Sequence, residues 1–237
     1  MNRIWDQEVP YLSLFDGHHI FYMALMGLLL ALMIMHWRYI KSESEKIRKW
    51  LLVLSIGQQV VLYSWYIFET GFDMGESLPF HISRISSILG IVFLFTKNVR
   101  ILDTLFFFGL FAYGSFFYPS RVYPAYHIMG MSFFVNHAIT ILLPIFAAIA
   151  YDWRPTLKAA FQSYGWFLIY FFFVYFLNPL IDGNYFYLKH RPFLGHLPDS
   201  IYVPLVIILT LLIFLLGYFL GKTISQAVKS VGRRRTQ

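Results

Sequence analysis

Residues 201–220 read IYVPLVIILTLLIFLLGYFL, twenty positions without a charged side chain. At the ~1.5 Å rise of an α-helix these extend about 30 Å, the thickness of a bilayer's hydrocarbon core. A surface helix of a soluble domain needs one apolar face, whereas this segment is apolar almost all round, so lipid is its natural surrounding. Working outward, six further stretches share its character: residues 20–37, 50–68, 80–95, 101–117, 128–150 and 159–180. The expected fold is all-α: a polytopic membrane protein with seven transmembrane helices in a single domain over residues 1–237.

Composition agrees. Of 237 residues, 58% are hydrophobic and 13% charged, about half the charged share of a soluble domain, and the mean hydropathy is +0.60. Aromatic residues reach 21%, natural where rings pack in lipid and Tyr and Trp anchor at headgroups. Cysteine is absent, which excludes disulfides, thiolate metal sites and a cysteine nucleophile. The formal charge of +7 is a question of sidedness here; no nucleic acid partner and no cofactor is expected.

The charged connections sort into two sets. Arg38, Lys41, Lys46, Arg48 and Lys49 follow the first span, Lys97 and Arg100 the third, and Arg154 and Lys158 the fifth. Lys222, Lys229 and Arg233 to Arg235 follow the seventh. The other side holds only Arg3, Arg121, Lys189 and Arg191. Lys and Arg are retained in the cytoplasm, so the N-terminus is expected outside and the C-terminus inside a cell (plasma) membrane, with the terminal arginines drawn to anionic lipid. Asp6, Glu8 and Asp16 precede the first span where a cleaved leader would be basic, so it is expected to persist as a helix. Among the outer connections, residues 182–200 are long and aromatic, and are expected to fold as a lid or re-entrant cap.

Ionisable and polar groups at membrane depth are costly and so are candidates for function. His81, Ser83, Arg84, Ser86 and Ser87 open the third span after Pro79; Ser83, Ser86, Ser87 and Gly90 form a small-residue stripe, while His81 and Arg84 point elsewhere. Asn136, His137 and Thr140 share a face of the fifth span with Pro144, which withdraws a hydrogen bond from the Thr140 carbonyl. Glu69, Asp73 and Glu76 form an acidic outer turn, from which Glu69 is placed to orient a histidine or pair with Arg84. Asn178, Asn184, Tyr185, Tyr187, His190 and Arg191 surround the last outer loop. Gln58 and Gln59 read as hydrogen-bonding glue between helices, and Asp103 is within reach of Lys97 or Arg100. No two histidines have the i, i+4 spacing of a helical metal pair, and His18 and His19 diverge, so no metal is expected.

Three segments carry a family resemblance. Glu76, Leu78, Pro79, Phe80, His81 and Ser83 resemble the acidic L-P-x-H-x-C signature of the bacterial YwaF-like integral membrane proteins. Phe134 to Ala138, F-V-N-H-A, resembles their F-x-x-H-G segment, and Gly183 to Pro192 their G-x-N-Y-x-Y-L segment followed by proline. That family is more distantly similar to animal transmembrane acyltransferases that remodel ether phospholipids and to androgen-induced hydrolases of fatty-acid esters. Those relatives pair a Cys or Thr nucleophile with a His, and the resemblance carries these roles to Ser83 and His137. Serine stands where the signature has cysteine, a poorer nucleophile that needs an activating base.

Two functions follow as expectations. The first is an outer-leaflet acyltransferase or lipid-ester hydrolase acting on a membrane phospholipid or lipid ester. Ser83 and His137 are its catalytic residues, and His81, Arg84, Glu69, Asn136, Asn184 and Tyr185 hold the substrate. The alternative is a non-catalytic lipid- or solute-binding or transport protein with an outward-facing polar cavity. Catalysis requires Ser83 Oγ and a His137 nitrogen to come within about 3.2 Å or one water. Counted along helices at ~1.5 Å per residue, Ser83 lies ~6 Å beyond Pro79 but His137 ~15 Å beyond His127, so the two spans must begin at different depths.

Overall fold

The computed structural model describes residues 3–191 and 193–234, with side chains described to residue 223. The described residues form nine α-helices and one 3₁₀ turn, with no strand among them. They are α1 (Gly17–Met35), α2 (Trp37–Ser42), α3 (Ser44–Phe68), α4 (Met74–Ser77), α5 (Ile82–Thr96), α6 (Val99–Phe117), α7 (Ile128–Ala150), α8 (Leu157–Ile181), the 3₁₀ turn Tyr185–Tyr187 and α9 (Asp199–Arg234).

Six of these helices, α1, α3, α6, α7, α8 and the first part of α9, are long and apolar enough to cross a membrane. The remaining expected span, residues 80–95, is the 15-residue α5, about 22 Å long at ~1.5 Å per residue. Side-chain caps set several starts. Asp16 accepts from the His19 amide, Asn98 from Arg100, His127 from Met129 and Thr156 from Ala159, each satisfying an amide that the first helical turn leaves without a partner. Lys97 and Asp182 end α5 and α8 in the left-handed region, the usual helix stop. Pro192, which closes the third resembling segment, and the Arg233 to Arg235 cluster lie outside the described residues and side chains.

The connections gather at two ends, as the charge pattern predicts. At one end the N-terminal segment bonds to α3 and to the α6–α7 connection: Trp65 Nε1 donates to Trp5 O, Leu12 N to Val122 O and Ile128 N to Ile4 O. Residues 73–78 and 182–188 join it there, with Tyr185 Oη donating to Met74 O and accepting from Leu78 N. At the other end Lys41 pairs with Asp152, and Lys97 with Glu45, across the connections rich in Lys and Arg. Asp103, expected to meet Lys97 or Arg100, instead accepts from Trp153 Nε1 at 2.9 Å. The indole is buried there, so its donor needs a partner and takes the nearest carboxylate.

α7 is the hub. Two thirds of its apolar window (67%) is buried, against 11% for α1 and 17% for α9, whose large side chains face outward. Lipid supplies no hydrophobic drive between helices, so packing and interhelical hydrogen bonds hold them. Gln58 Nε2 of α3 donates to Ser132 Oγ of α7 at 2.7 Å, and Gln59 Nε2 to Ser87 Oγ of α5 at 2.8 Å, the bonding role read for these glutamines. Two glycines permit closer approach. A Cβ on Gly75 would meet Asp182 O and Ile181 O at 3.1 and 3.2 Å, where α4 lies against the end of α8. A Cβ on Gly130 would fall 2.1 Å from Pro124 O and 2.6 Å from Tyr123 O, both rigid backbone. Gly130→Ala is therefore expected to lower stability by about 1–3 kcal/mol. The control Gly165→Ala, with nothing within 4 Å of its Cβ, should have no such effect. Thermal unfolding of the purified chain in detergent reads the difference, and equal midpoints for the two variants would refute this account of the α7 entry.

Candidate functional site

The head of α5 is built around Arg84. The residue is 7% exposed, and a buried charge needs partners on every donor face. Nη1 donates to Glu76 O and, at 2.9 Å, to Leu78 O, while Nη2 donates to Tyr66 Oη. The charge lies 4.7 Å from the Tyr66 ring centroid and 3.6 Å from Glu76 Oε1. The planar fork thus ties α3, α4 and the turn into α5 together. Glu69, the acid expected to pair with Arg84, caps the end of α3 and accepts from the Gln7 amide at 3.3 Å. Glu76 takes its place because α4 folds the acidic turn back over α5. Burial acts to raise the Glu76 carboxyl's pKa, but His81, Arg84 and Arg121 together hold it below the ordinary carboxylate value.

His81 sits just before α5, with its ring edge-on to Tyr185 at 4.9 Å. Its Nε2 lies 3.2 Å from Glu76 Oε1 but is misaligned for a hydrogen bond, so the contact is ionic only when the imidazole is protonated. Tyr185 is fully buried, and its backbone is clasped by Asn178, whose amide donates to Tyr185 O while its carbonyl accepts from Tyr185 N, both at 2.9 Å. Asn184 Oδ1 accepts from the Lys189 and His190 amides. Desolvation in this packing raises the Tyr185 phenol to about 12. The segment after α8 is therefore a folded cap, with Tyr185 plugged between α4 and the head of α5.

Ser83 is half-buried on the first turn of α5. Asn136 Nδ2 reaches its carbonyl oxygen at 3.4 Å, and further along, a Cβ on Gly90 would touch Leu143 at 3.5 Å. The steps from Ser83 to Gly90 and from Asn136 to Leu143 are equal, so α5 and α7 run parallel and in register. The depth mismatch counted along the sequence is removed because α7 starts about two turns outward of Asn136, whereas α5 starts at Ile82. Ser83 and His137 are thereby brought level, but they are not bonded to each other. His137 Nδ1 donates to Phe133 O at 2.8 Å, the ring lies 4.0 Å from Phe133 and 6.5 Å from Phe116, and Nε2 has no partner. Asn136 Oδ1, Gln59 Oε1 and Thr140 Oγ1 are likewise buried without a partner.

A family model described as the TMEM164 family matches residues 14–221. The chain belongs to this family. It is a multi-pass membrane family, in keeping with the six long apolar helices. No curated protein and no solved structure matches the chain. In this TMEM164 family member two features escape a reading by residue type. Tyr66 carries no periodic or motif signal for its place under Arg84. The N-terminal segment is a strap whose carbonyls at Trp5, Asp6 and Gln7 accept from Trp65, His127 and Tyr123.

If Arg84 is a clamp, its loss leaves Glu76 O, Leu78 O and Tyr66 Oη unpaired, a cost of about 1–3 kcal/mol per group. Arg84→Ala should unfold at markedly lower temperature, and Arg84→Lys should recover only part of the loss because an ammonium lacks the planar fork. Wild-type midpoints for both would reduce Arg84 to a surface anchor.

Proposed function

We propose that the chain is a membrane-embedded acyltransferase or lipid-ester hydrolase, with His137 as general base and Ser83 as nucleophile. The observation that carries the reading is the state of His137. Its Nδ1–H is committed to Phe133 O, which fixes the tautomer and leaves Nε2 as a buried lone pair without a partner. A general base needs a lone pair held in this way. The resemblance of the segments at Ser83 and His137 supports the same assignment.

The chemistry divides among the chain's own groups. Nε2 removes the Ser83 proton as Oγ forms a bond to the ester carbonyl carbon. The tetrahedral intermediate collapses by breaking the bond to the alcohol oxygen, which leaves with the proton from His137. Water or a second lipid hydroxyl then attacks the acyl-serine by the same route in reverse. In the resting arrangement Nε2 does not touch Oγ, and catalytic hydrogen bonds commonly close only with substrate in place. Asn136, bonded beside Ser83, aligns α5 with α7, and Arg84 fixes where α5 begins.

Ser83→Ala and His137→Ala should each lower turnover of a phospholipid or lipid-ester panel by about 10²-fold or more, with the double variant little worse than either. Ser83→Cys should retain turnover and form a thioester adduct visible by mass spectrometry. Full activity in both alanine variants, or no adduct and no turnover in any form, would leave a lipid-binding protein instead.

We further propose that α5 is a seventh crossing and that the end rich in Lys and Arg is cytoplasmic. In support, α5 joins the two ends, from the Glu76–Arg84 contact to the Lys97–Glu45 pair. Ser77, an obvious probe by sequence, is fully buried, so the exposed Ser200 and Ser42 are the positions to use. In intact cells an impermeant thiol reagent should label Ser200→Cys and spare Ser42→Cys; the reverse pattern would invert the orientation.

A further inference from the structure

Six helix hydroxyls of this chain, those of Ser55, Ser86, Thr96, Thr104, Ser115 and Thr223, satisfy themselves by donating to the carbonyl four residues back. Thr140, buried in the middle of α7, makes no such bond, and its Oγ1 is without a partner among the described residues. The cause lies on α6. A Cβ on Gly109 would come within 3.0 Å of Thr140 Cγ2, so the methyl takes the room that a side chain there would fill. A β-branched residue has few χ1 choices, and seating the methyl sets where the hydroxyl points.

Two more unpartnered oxygens lie within about a helical turn of this level. Asn136 Oδ1 stands one turn back on the same face of α7. Gln59 Oε1 comes from α3, and the register of α5 on α7 gives its depth. Four residues on from the Ser83–Asn136 contact, Ser87 is level with Thr140, and Ser87 Oγ accepts from Gln59 Nε2 at 2.8 Å. Of the three oxygens only the Thr140 hydroxyl can donate; the two amide oxygens can only accept.

We infer that Gln59, Asn136 and Thr140 hold one water molecule and that this water takes the acyl group from Ser83, an inference that rests on the catalytic reading above and chooses hydrolysis over transfer to a second lipid. Water fits the count of donors. Its two hydrogens serve the two amide oxygens and its own oxygen accepts from Thr140 Oγ1, which makes about three bonds, the usual number for a buried water. A cation fits less well, because none of the three residues is acidic and Arg84, three residues before Ser87 on α5, is already positive.

The placement ties this water to the proposed chemistry through Asn136, whose Nδ2 reaches Ser83 O while its Oδ1 is left for the water. In the deacylation step the water oxygen bonds to the acyl carbon as one of its protons passes to His137 Nε2. The bond to Ser83 Oγ then breaks, Oγ takes that proton back, and a free carboxylic acid leaves. Ser87, Asn136 and Thr140 are all buried, so a lipid alcohol reaches this position only by displacing the water.

The test uses the full chain in detergent and has two arms. The first asks for the site. A high-resolution density map should show an ordered water within hydrogen-bond reach of Thr140 Oγ1, Asn136 Oδ1 and Gln59 Oε1. Thermal unfolding of Thr140→Val, which keeps the methyl against Gly109 and removes only the hydroxyl, supplies a sign. A stranded hydroxyl destabilises, so deleting it would raise the midpoint, whereas a hydroxyl that holds a shared water stabilises, so deleting it should lower the midpoint. Ser163→Ala is the comparison: its buried Oγ also lacks a partner, between Ala160 and Phe167 on α8, and its loss should not lower the midpoint. A raised midpoint in Thr140→Val, or no density, would overturn the site; a wild-type midpoint that rises with sodium chloride but not with N-methylglucamine chloride would replace the water by a cation. The second arm supplies a lipid ester with lysophospholipid as competing acceptor. Wild type should release mainly free acid, and Thr140→Val should shift the ratio of acid to transferred product about tenfold toward transfer, the worth of one lost hydrogen bond. An unchanged ratio would overturn the acceptor role. A chain inactive on every ester would sink the catalytic reading and that role with it, while density and midpoint still judge the site.

Discussion

A guanidinium taken out of water must be met by acceptors on its whole edge, or the fold around it does not persist. At Arg84 the acceptors are the carbonyls of Glu76 and Leu78 and the phenol of Tyr66, and none of them belongs to α5. The short helix α4 and the turn through Pro79 have to fold back over the start of α5 for these bonds to exist. That requirement fixes the depth at which α5 begins, and with it the level of Ser83. The in-register packing of α5 on α7, which brings Ser83 beside Asn136, follows from where Arg84 is held.

The second organising element is the polar seam on the faces of α3, α5 and α7. Gln58, Gln59, Ser87, Ser132 and Asn136 join three helices with side-chain bonds. Interhelical bonds of this type in lipid contribute on the order of 1 kcal/mol each. Their larger effect is on specificity, because a helix rotated by one residue would strand every one of these groups in hydrocarbon. The same seam leaves three oxygens without partners, at Gln59, Asn136 and Thr140, together with His137 Nε2. Unsatisfied atoms are scarce in buried protein; besides these four, Ser77 Oγ, His81 Nε2 and Ser163 Oγ are also without a partner among the described residues.

Much of the fold was legible because lipid imposes a single rule, long apolar helices between charged connections. The stretches read at residues 128–150 and 201–220 match α7 and the apolar part of α9, and the charge sets separate cleanly between the two ends. Chain punctuation was less legible. Residues 37–42 form a short helix in what reads as a loop, and α5 starts only at Ile82 because Phe80 lies in a turn, where its carbonyl accepts from Tyr170, and His81 is extended against Tyr185. The site was half legible. Residue type singled out Arg84, His137 and Ser83, and it offered Glu69 as the partner of either a histidine or Arg84. Only the fold-back of α4 decides between two acids seven positions apart, and nothing local in the sequence encodes that turn's direction. Asn184, Tyr187, His190 and Arg191 were singled out as one loop, but Arg121, which the fold sets across from them, was not, because it is far away in the chain.

The N-terminal strap sets an order of events during synthesis. Residues 5–7 leave the ribosome before the side chains that grip them, Trp65, Tyr123 and His127, which lie 60, 116 and 121 positions downstream. The first helices must therefore enter the bilayer with this end unlatched, and the latch closes only after α7, the hub of the bundle, is inserted. The strap thus acts as a completion seal: its bonds to Tyr123 and His127 form only when the connection leading into the central helix is in place.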